Sequence, residues 1–559
     1  MKQNFYILAL ATLCSCLFLS QNLRAELIDY ELVDTYTIED LESVLNDFAT
    51  GFPIPPGLFN FNYDVDVYKI RYSTWNATLT EKVQASGALA VPQGSTCPLP
   101  MVVYQHGTAF NPNGVPSQLS DEVFIGNVMG SDGYIVLMPD YLGLGESVGM
   151  HPYVHSKTEA TAAIDMMVAA EELQETLSYE FNDQVFICGY SQGGHAAMAL
   201  FYELETYYAD EYHVAGAAPM SGPYDISVTQ ESVMWEDYSS PGYLPYVILG
   251  YQEAYPELFA SIGDVFKEEY DLFNNCCISS SEFHSILSSF NLPSTPIDML
   301  LPEVVAEYEN DHNHPLKIAL ADNDLYDWTP QAPVLLLGCE GDEQVKFENA
   351  TVCYDKFVEN GVENVEVVNF GNFSHGDCVP FCLIAGKNFF DEYRDISNGI
   401  TVSYTIINPS NESATDGAIN IDISGGEGVY DIMWDNGMVG ASLNDLPAGD
   451  YMVTVMDERG CTAIETITLS SSVGIYEQNI DLLSFYPNPA TDFVHIELPQ
   501  NITSTYNVQI HNIAGEMMRS FGNVTERNLD IDVRNLNAGI YFVSLQAEGI
   551  IYQSKLMVY

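Results

Sequence analysis

Two serines lie in the pattern Gly-x-Ser-x-Gly, whose small residues permit the tight turn that presents a nucleophilic hydroxyl. Ser191 lies in GYSQG, directly after the apolar run 184–188 and before the helix-forming run 194–200. Ser147 lies in GESVG, within a glycine-rich loop. A strand–turn–helix context lifts the hydroxyl to the end of the strand, beside a helix N-terminus. We therefore predict that Ser191 is a nucleophile and that Ser147 is structural.

A nucleophilic serine requires a general base, and the sequence offers His375 for that role. His375 lies in FSHGD, in a loop that follows the apolar run 365–370 and leads to a helix. No other histidine lies between His314 and His495. Its position downstream of the serine, after the last predicted strand, fits the chain order Ser, Asp or Glu, His. We therefore predict that His375 is the base.

The base requires an orienting carboxylate, and Asp342 is our candidate. Asp342 follows the apolar run 334–338 in GCEGDEQV, on the loop after the penultimate predicted strand. Glu340 and Glu343 are the competing acids. The glycine before Asp342 and the helix predicted from about Gln344 favour Asp342.

Acyl transfer also requires hydrogen-bond donors for the developing oxyanion. We expect one donor to be the backbone N–H of Gln192, the residue after the nucleophile. The other is expected from Thr108, in the loop YQHGT after the third predicted strand, where a glycine lets the backbone turn inward. We assign no proton transfer to His106, which braces its loop, or to His195, which packs in the helix after Ser191.

These residues must be held by residues 26 to about 395, where apolar runs typical of strands alternate with helical stretches. We predict an α/β fold of about eight strands, an antiparallel pair followed by a mostly parallel sheet. The predicted strands are 64–74, 83–91, 101–105, 134–138, 184–189, 214–219, 333–338 and 362–370. The predicted helices include 156–177, 193–208, 344–360 and 379–394.

One gap in this pattern, residues 224–331, is too long for a simple crossover and is rich in Tyr, Leu, Phe and Glu. We interpret it as a helical cap inserted after the sixth predicted strand. Its aromatic side chains either line an apolar acyl or aryl pocket or form the cap's own core, and both alternatives stay open. These aromatic residues are Tyr243, Tyr246, Tyr251, Tyr255, Phe259, Phe266 and Phe273.

The segments YQHGT, PDYLGLGES, GYSQGG, GCEGDEQV and FSHGD occur in this order, and with them residues about 60–395 resemble the α/β-hydrolase superfamily. Within that superfamily the chain looks like the secreted esterases and lipases. The resemblance implies an α/β-hydrolase domain over 26–398 with a cap at about 224–331. It also implies hydrolysis of small-molecule or lipid esters through a Ser–Asp–His triad and an acyl-enzyme, without a cofactor or a metal ion.

Two other functions are compatible with this fold. A serine peptidase or a thioesterase would use the same triad. A non-catalytic surface-binding protein could use the domain as a scaffold, because a fold alone does not prove activity. The intact order of Ser191, Asp342 and His375 favours an enzyme.

Two short all-β regions follow the α/β region, with a linker expected at 470–474. Residues 400–470 contain DIMWDNG, LNDLPAGDY and DERGC, and resemble the Ig-like repeat of SprB-type gliding-motility adhesins, with Trp434 as a core residue. Residues 480–559 contain FYPNPATD and LNAGIY, and look like a type A C-terminal sorting domain of the type IX secretion system. That resemblance implies export through the periplasm, recognition by the type IX translocon, and release or surface attachment.

The acidic composition limits the partners. The chain has 559 residues, with 78 Asp and Glu against 17 Lys and Arg, and a formal net charge of −61. Nucleic acid and anionic membrane surfaces would repel such a protein, so we exclude both as partners. The hydrophobic content of 47% is that of a globular chain.

The N-terminus predicts export. Lys2 precedes the apolar run 5–19 and the small residue Ala25 follows, so we predict a signal peptide at 1–25. A lipoprotein with Cys16 as lipid acceptor is the alternative, although the residues before Cys16 fit it only loosely. No later stretch is apolar enough to span a bilayer. We therefore expect a secreted or cell-surface protein with no integral membrane span.

Nine cysteines follow the predicted signal peptide, and an oxidising compartment can pair some of them. An odd number leaves at least one thiol free, and Cys188, inside an apolar strand, is the expected one. We interpret Cys378 and Cys382 as disulfide or packing residues, because no second Cys or His pair lies at a zinc-site spacing. The nine are Cys97, Cys188, Cys276, Cys277, Cys339, Cys353, Cys378, Cys382 and Cys461.

Overall fold

A computed structural model describes most of the chain, namely residues 25–49, 61–274, 278–411, 413–471, 485–497, 505–513, 515–547 and 550–558. The predicted signal peptide at 1–25 lies outside the described residues except for Ala25, as do Cys276, Cys277 and most of the predicted linker at 470–474. Within the described part of the chain, no helix is long and apolar enough to cross a membrane.

The chain separates into two compact units. The first unit contains the described residues up to Tyr404 together with Ile421–Ala441 and Tyr451–Ile467. The second unit contains Thr405–Asn420, Ser442–Asp450 and the described residues from Thr468 onward. The domain boundaries inferred from the sequence stay predictions.

The first unit is built on a nine-stranded sheet with the strand order β1-β2-β3-β5-β4-β6-β7-β8-β9. The pairs β1–β2, β2–β3 and β3–β5 are antiparallel, and every other neighbouring pair is parallel. The strands are β1 (Leu27–Tyr36), β2 (Val65–Trp75), β3 (Lys82–Pro92), β4 (Leu99–Gln105), β5 (Ile135–Pro139), β6 (Phe181–Tyr190), β7 (His213–Met220), β8 (Val334–Gly338) and β9 (Val365–Asn369).

The central strands are mainly apolar because helices cover both faces of the sheet. Every residue of β4, β5 and β8 is buried, whereas β2, near the edge, alternates between buried and half-buried residues. The two faces carry separate clusters, one around Leu137 and Ile187 and one around Val136 and Phe186. The clusters come from neighbouring residues of the same strands because successive side chains of a strand point to opposite faces.

Eleven α-helices lie in the described part of this unit. They are α1 (Ile38–Ala49), α2 (Val123–Ser131), α3 (Ser156–Glu171), α4 (Gln174–Leu177), α5 (Gln192–Tyr207), α6 (Tyr243–Ala254), α7 (Ser280–Leu287), α8 (Pro302–Asn310), α9 (Pro315–Ala321), α10 (Glu348–Glu359) and α11 (His375–Tyr393). Helices α3 and α5 contact one face of the sheet, and α2 and α11 contact the other.

The structure confirms the α/β architecture and the eight predicted strands, and it adds β1 at the edge. The sequence missed β1 because its residues are mostly exposed, so it lacks the apolar run of a central strand. It also missed α1 and α2.

Helix α11 begins at His375 rather than at 379, because Ser374 caps the helix by accepting a hydrogen bond from the Asp377 N–H. His375 therefore lies in a helical first turn and not in a loop.

The segment between β7 and β8 is helical, with one isolated β-bridge between Phe266 and Leu300. Besides α6 to α9 it contains the short turns Ile226–Gln230, Glu231–Trp235, Ile262–Asp264, Glu268–Asn274 and Pro296–Met299. Its hydrophobic core also includes Met150, Tyr153 and Val154 from the segment before α3, and the fully buried rings in it are Tyr246, Tyr251, Phe266 and Phe273. Most of the aromatic residues singled out from the sequence therefore serve the core of this segment.

Small antiparallel sheets follow, as the fold class predicts. Between residues 401 and 469 one sheet contains β10 (Thr401–Ile407), β11 (Gly417–Ser424) and β13 (Ser442–Leu446), and another contains β12 (Asp431–Trp434), β14 (Gly449–Met456) and β15 (Thr462–Leu469). Trp434 is buried, as its assignment to a core requires. The identity of this region as an Ig-like repeat stays a prediction.

The last region forms a three-stranded and a four-stranded sheet around one shared hydrophobic core. The first sheet contains β16 (Phe485–Tyr486), β17 (Phe493–Glu497) and β20 (Asn528–Asp532). The second contains β18 (Tyr506–Asn512), β19 (Met517–Val524), β21 (Gly539–Ala547) and β22 (Ile550–Val558). The alternating burial along β18 and β21 is that of strands with one face toward a core.

Candidate active site

Ser191 lies at a sharp turn between the end of β6 and the start of α5. Its backbone has φ 63° and ψ −122°, a strained conformation for a residue with a side chain. The turn requires glycine nearby, because a Cβ at Gly193 would collide with the carbonyl oxygen of Gln105 and a Cβ at Gly189 with that of Gly193. The Gly-x-Ser-x-Gly pattern therefore has a steric cause here.

Ser147, the second match to that pattern, has a different environment. It lies in a turn in which its N–H donates to the carbonyl of Leu144, and no helix follows directly. Its neighbour Glu146 forms ion pairs with Lys69 and Arg71. These contacts agree with a structural role for this segment, which stays a prediction.

Asp342 and His375 are in direct contact. His375 Nδ1 lies 2.7 Å from Asp342 Oδ2, and both side chains are buried. The other carboxylate oxygen of Asp342 accepts hydrogen bonds from the N–H groups of Gln344 and Val345, each at 2.9 Å. These three bonds hold the carboxylate in place and orient the imidazole ring with its Nε2 directed away from the acid.

The competing acids do not take this position. Glu343 instead accepts a hydrogen bond from the backbone N–H of His375 at 3.0 Å. Glu340 is paired with Asn369 at the end of β9. The structure therefore brings only Asp342 to the imidazole of His375, while Glu343 holds the first turn of α11.

No hydrogen bond joins Ser191 to His375 in this structure, although both are among the described residues. The segments meet instead through Tyr190, whose hydroxyl donates to the carbonyl of His375 at 2.6 Å and whose ring centroid lies 5.0 Å from the imidazole centroid. Burial raises the pKa of Tyr190 above its ordinary value, so its hydroxyl stays a donor. Serine–histidine contacts of hydrolases often tighten only when substrate binds.

Gln192 is the first residue of α5 and is almost fully buried. The first N–H groups of a helix have no carbonyl within the helix to donate to, so the Gln192 N–H is available to a ligand. Thr108 follows β4, and its hydroxyl lies 2.9 Å from the hydroxyl of Tyr153. His106 is held between the carbonyls of Gly107 and Asp140 and lies against the Tyr141 ring, an arrangement that suits a bracing role.

A small cavity with a volume of about 80 Å³ opens at Ser191 and Gln192. Its wall is mainly apolar and comes from the cap and from the segment before α3. The wall residues include Tyr153, Val154, Val233, Met234, Tyr243, Leu244, Val247 and Leu320. Of the aromatic cap residues singled out from the sequence, Tyr243 alone is among the residues that line this cavity.

The described cysteines of the first unit form two disulfides, Cys97–Cys461 and Cys339–Cys378. Cys188, Cys353 and Cys382 are free and buried, so the prediction for Cys188 is confirmed. Cys378 forms a disulfide, whereas Cys382 is a free thiol packed in the core. The prediction that these cysteines are disulfide or packing residues therefore holds, with a different role for each.

Sequence reasoning missed several residues around this site. Glu159 and His151 are fully buried and contact the Gln192 side chain. Tyr153 lines the cavity, and Cys339 is joined to Cys378. A signal for Glu159 exists, because it is one of few acids in an Ala- and Met-rich helix.

Comparison with known families gives the class of protein. Residues 107–379 match the family model described as secretory lipase. Residues 484–559 match the model described as secretion system C-terminal sorting domain. The match to the sorting domain agrees with the type IX assignment made from the sequence. A search of curated proteins gave no match.

Solved structures of hydrolases resemble the chain over about two thirds of its length. A Legionella pneumophila protein assigned as a hydrolase is 29% identical with a TM-score of 0.58, covering 66% of this chain and 98% of that one. The rice cell wall degrading esterase LipA from Xanthomonas oryzae is 27% identical with a TM-score of 0.56, covering 66% of this chain and 99% of that one. The chain is thus a carboxylic ester hydrolase with an α/β-hydrolase fold. It is a secreted or cell-surface protein.

Proposed function

We propose that Ser191, His375 and Asp342 form the catalytic triad of this ester hydrolase. The observation that carries the proposal is the 2.7 Å contact between His375 Nδ1 and Asp342 Oδ2. It lies at the carboxyl edge of the parallel sheet, where Ser191 stands on a strained turn. Nucleophile, base and acid follow three different strands, β6, β9 and β8, and these strands all end at that edge.

The proposed reaction is acyl transfer to Ser191 and then to water. His375 Nε2 takes the proton of Ser191 Oγ as Oγ attacks the ester carbonyl carbon. The tetrahedral oxyanion accepts hydrogen bonds from the N–H groups of Gln192 and Thr108. His375 returns the proton to the leaving alcohol, and water then hydrolyses the acyl-enzyme by the same route. Asp342 remains ionised and stabilises the imidazolium.

The cavity beside Ser191 supports an ester with an apolar acyl or aryl group as substrate. Its wall is mainly aliphatic and aromatic, and Tyr153, Tyr238 and Tyr243 contribute rings. Burial of an apolar chain against such a wall stabilises the complex by about 25 cal/mol per Å². The polar atoms of the ester then lie at Ser191 and Gln192, which also line the cavity.

A serine variant tests the nucleophile. Ser191→Ala is expected to abolish hydrolysis of p-nitrophenyl butyrate, while circular dichroism and the melting temperature stay those of the wild type. Ser147→Ala, in the second Gly-x-Ser-x-Gly segment, is the matched control and should keep full activity. Wild-type turnover by Ser191→Ala would overturn the triad. A panel from acetyl to long-chain and aryl esters, with an amide control, then defines the substrate.

We also propose that residues 480–559 are recognised by the type IX translocon. The match of residues 484–559 to a sorting domain and the compact two-sheet core there support this partner. A reporter fused to residues 480–559 and preceded by a signal peptide should reach the cell surface or medium only in a host with a type IX system. Retention of the reporter in the periplasm of such a host would contradict the proposal.

A further inference from the structure

A buried polar cluster lies behind the Ser191 turn, and the proposed mechanism does not use it. Glu159, on α3, and His195, on α5, have no solvent exposure, and Gln192 is 1% exposed. Gln192 Nε2 donates to Glu159 Oε1 at 2.9 Å, and His195 Nδ1 lies 2.7 Å from Glu159 Oε2. One carboxylate therefore contacts two residues of the first turn of α5.

The contacts of the two histidines fix the direction of these hydrogen bonds. His195 Nε2 lies 3.1 Å from the Asn323 carbonyl, so it carries a proton and donates it. Its Nδ1 faces the Glu159 carboxylate, so a proton is shared in that contact. His151 Nδ1 donates to the Leu142 carbonyl at 2.8 Å, which leaves Nε2 to accept from Gln192 Nε2 at 2.6 Å.

Both amide hydrogens of Gln192 are thereby used, one on Glu159 and one on His151. Burial lowers the pKa of His151 to about 3, so this imidazole is neutral and can accept. Rotating the amide by half a turn would bring Gln192 Oε1 against the Glu159 carboxylate, which is repulsive. The Gln192 side chain is held in one orientation.

Gln192 and His195 are three residues apart and so lie on one face of α5. The two contacts of Glu159, with Gln192 and His195, therefore fix the helical turn that carries the Gln192 N–H. Ser191 and Gln192 both line the cavity. A buried carboxylate is costly unless it is hydrogen-bonded. Other interior positions of α3, such as Ala160 and Ala163, are filled by small apolar residues.

We propose that Glu159 is a positioning residue for the oxyanion hole, because its contacts with Gln192 and His195 aim the Gln192 N–H at the developing oxyanion. The proposal rests on the function proposed above. Glu159 touches no reacting atom and acts through α5. Its loss should lower transition-state stabilisation and leave ground-state binding of the ester unchanged.

Glu159→Leu keeps the approximate size of the side chain and removes its contacts with Gln192 and His195. It is expected to lower kcat about 10- to 100-fold with KM within a factor of two, because a displaced oxyanion donor costs transition-state binding. Glu159→Gln can still accept from Gln192 and donate to His195, so it should restore kcat to within a few fold of the wild type. Asp165→Leu removes the other acid buried within α3 and is the control, with lower stability but unchanged kcat.

A trifluoromethyl ketone gives a readout that a purely structural role would not change. It forms a hemiketal with a serine nucleophile, and its oxyanion occupies the position of the transition-state oxygen. Its Ki should rise in Glu159→Leu by the same factor by which kcat falls. A folded Glu159→Leu protein with wild-type kcat and Ki would overturn the proposal.

Two further variants keep the outcomes separate. If Glu159→Leu does not fold, Gln192→Leu tests the proposal instead, because it removes the side-chain contact with Glu159 and keeps the backbone N–H of residue 192. A lower kcat and a raised Ki are expected for it, and wild-type values would overturn the proposal. Ser191→Ala distinguishes a failure of the proposed triad from a failure of the positioning role, because activity in that variant would contradict the triad itself. If Ser191→Ala is inactive and Glu159→Leu keeps full kcat, only the positioning role of Glu159 is contradicted.

Discussion

Cys339 and Cys378 form a disulfide that joins the segment carrying Asp342 to the first turn of the helix that begins with His375. Cys339 lies three residues before Asp342, and Cys378 lies three residues after His375. The Asp342 N–H also donates to the Cys339 carbonyl. The acid and the base are therefore joined by a covalent bond as well as by their own hydrogen bond.

Removal of this disulfide should affect both stability and turnover. The cysteines are 39 residues apart, and closing such a loop stabilises the folded state by about 4 kcal/mol in the chain-entropy relation. We expect Cys339→Ala/Cys378→Ala to lose about 2–4 kcal/mol in urea unfolding, and to lose about tenfold in kcat because the dyad is less well positioned. Cys382→Ala, a free buried thiol one turn further on, is the control. Unchanged kcat in the folded double variant would show that the disulfide does not position the dyad.

The choice between neighbouring acids gives a second prediction. Asp342→Asn keeps the shape but cannot hold the imidazole in the correct tautomer, so kcat should fall about 10³- to 10⁴-fold. Glu343→Gln can still accept the His375 N–H and should lose less than about tenfold. Both are measured at saturating p-nitrophenyl butyrate, with folding checked by circular dichroism. A larger loss in Glu343→Gln than in Asp342→Asn would reassign the acid.

Much of the fold could be predicted because its central elements have strong local signals. The strands that carry Ser191 and Asp342 are continuous apolar runs, and such runs mark parallel strands covered on both faces. Strand β1 has no such signal, because it is largely exposed and exists by pairing with β2. The start of α11 at His375 depends on the Ser374 cap, and a single capping residue is a weak signal without the contacts around it.

The site could be predicted as far as chain order and turn chemistry determine it. Ser191, Asp342 and His375 could be chosen as candidates because each follows a strand in a fixed order. Glu159 and Cys339 were not assigned roles, because their partners lie 33 and 39 residues away in the chain. Only the packing of α3 on α5, and of β8 against the start of α11, brings them together. Contacts of this kind follow from tertiary structure rather than from any local pattern.

The cavity wall predicts how acyl-chain length can be changed. Val233 is buried and lines the cavity, whereas Val228, five residues earlier, is 65% exposed. Val233→Phe should lower kcat/KM for p-nitrophenyl octanoate more than tenfold and change that for the acetate less than threefold, because added volume excludes only the longer chain. Val228→Phe is the matched control. Equal losses on both esters would indicate that the acyl chain lies elsewhere.

His155 makes stability depend on pH. It packs edge-on against Tyr255, and burial lowers its pKa from the ordinary 6.5 to about 4, with His195 and Lys157 acting in the same direction and Asp322 opposing. Between these values the unfolded chain binds a proton that the folded chain excludes. The contribution of neutral His155 to stability is therefore complete above pH 6.5 and is lost as the pH falls toward 4.

At pH 5 the loss is about 2 kcal/mol relative to pH 8. His155→Gln lacks this proton linkage, so its stability relative to the wild type should improve by that amount between pH 8 and pH 5. Denaturant unfolding at both pH values measures the difference, with the same substitution at the exposed His213 as the surface control. A stability difference between wild type and His155→Gln that stays constant with pH would mean that His155 is protonated equally in the folded and unfolded states.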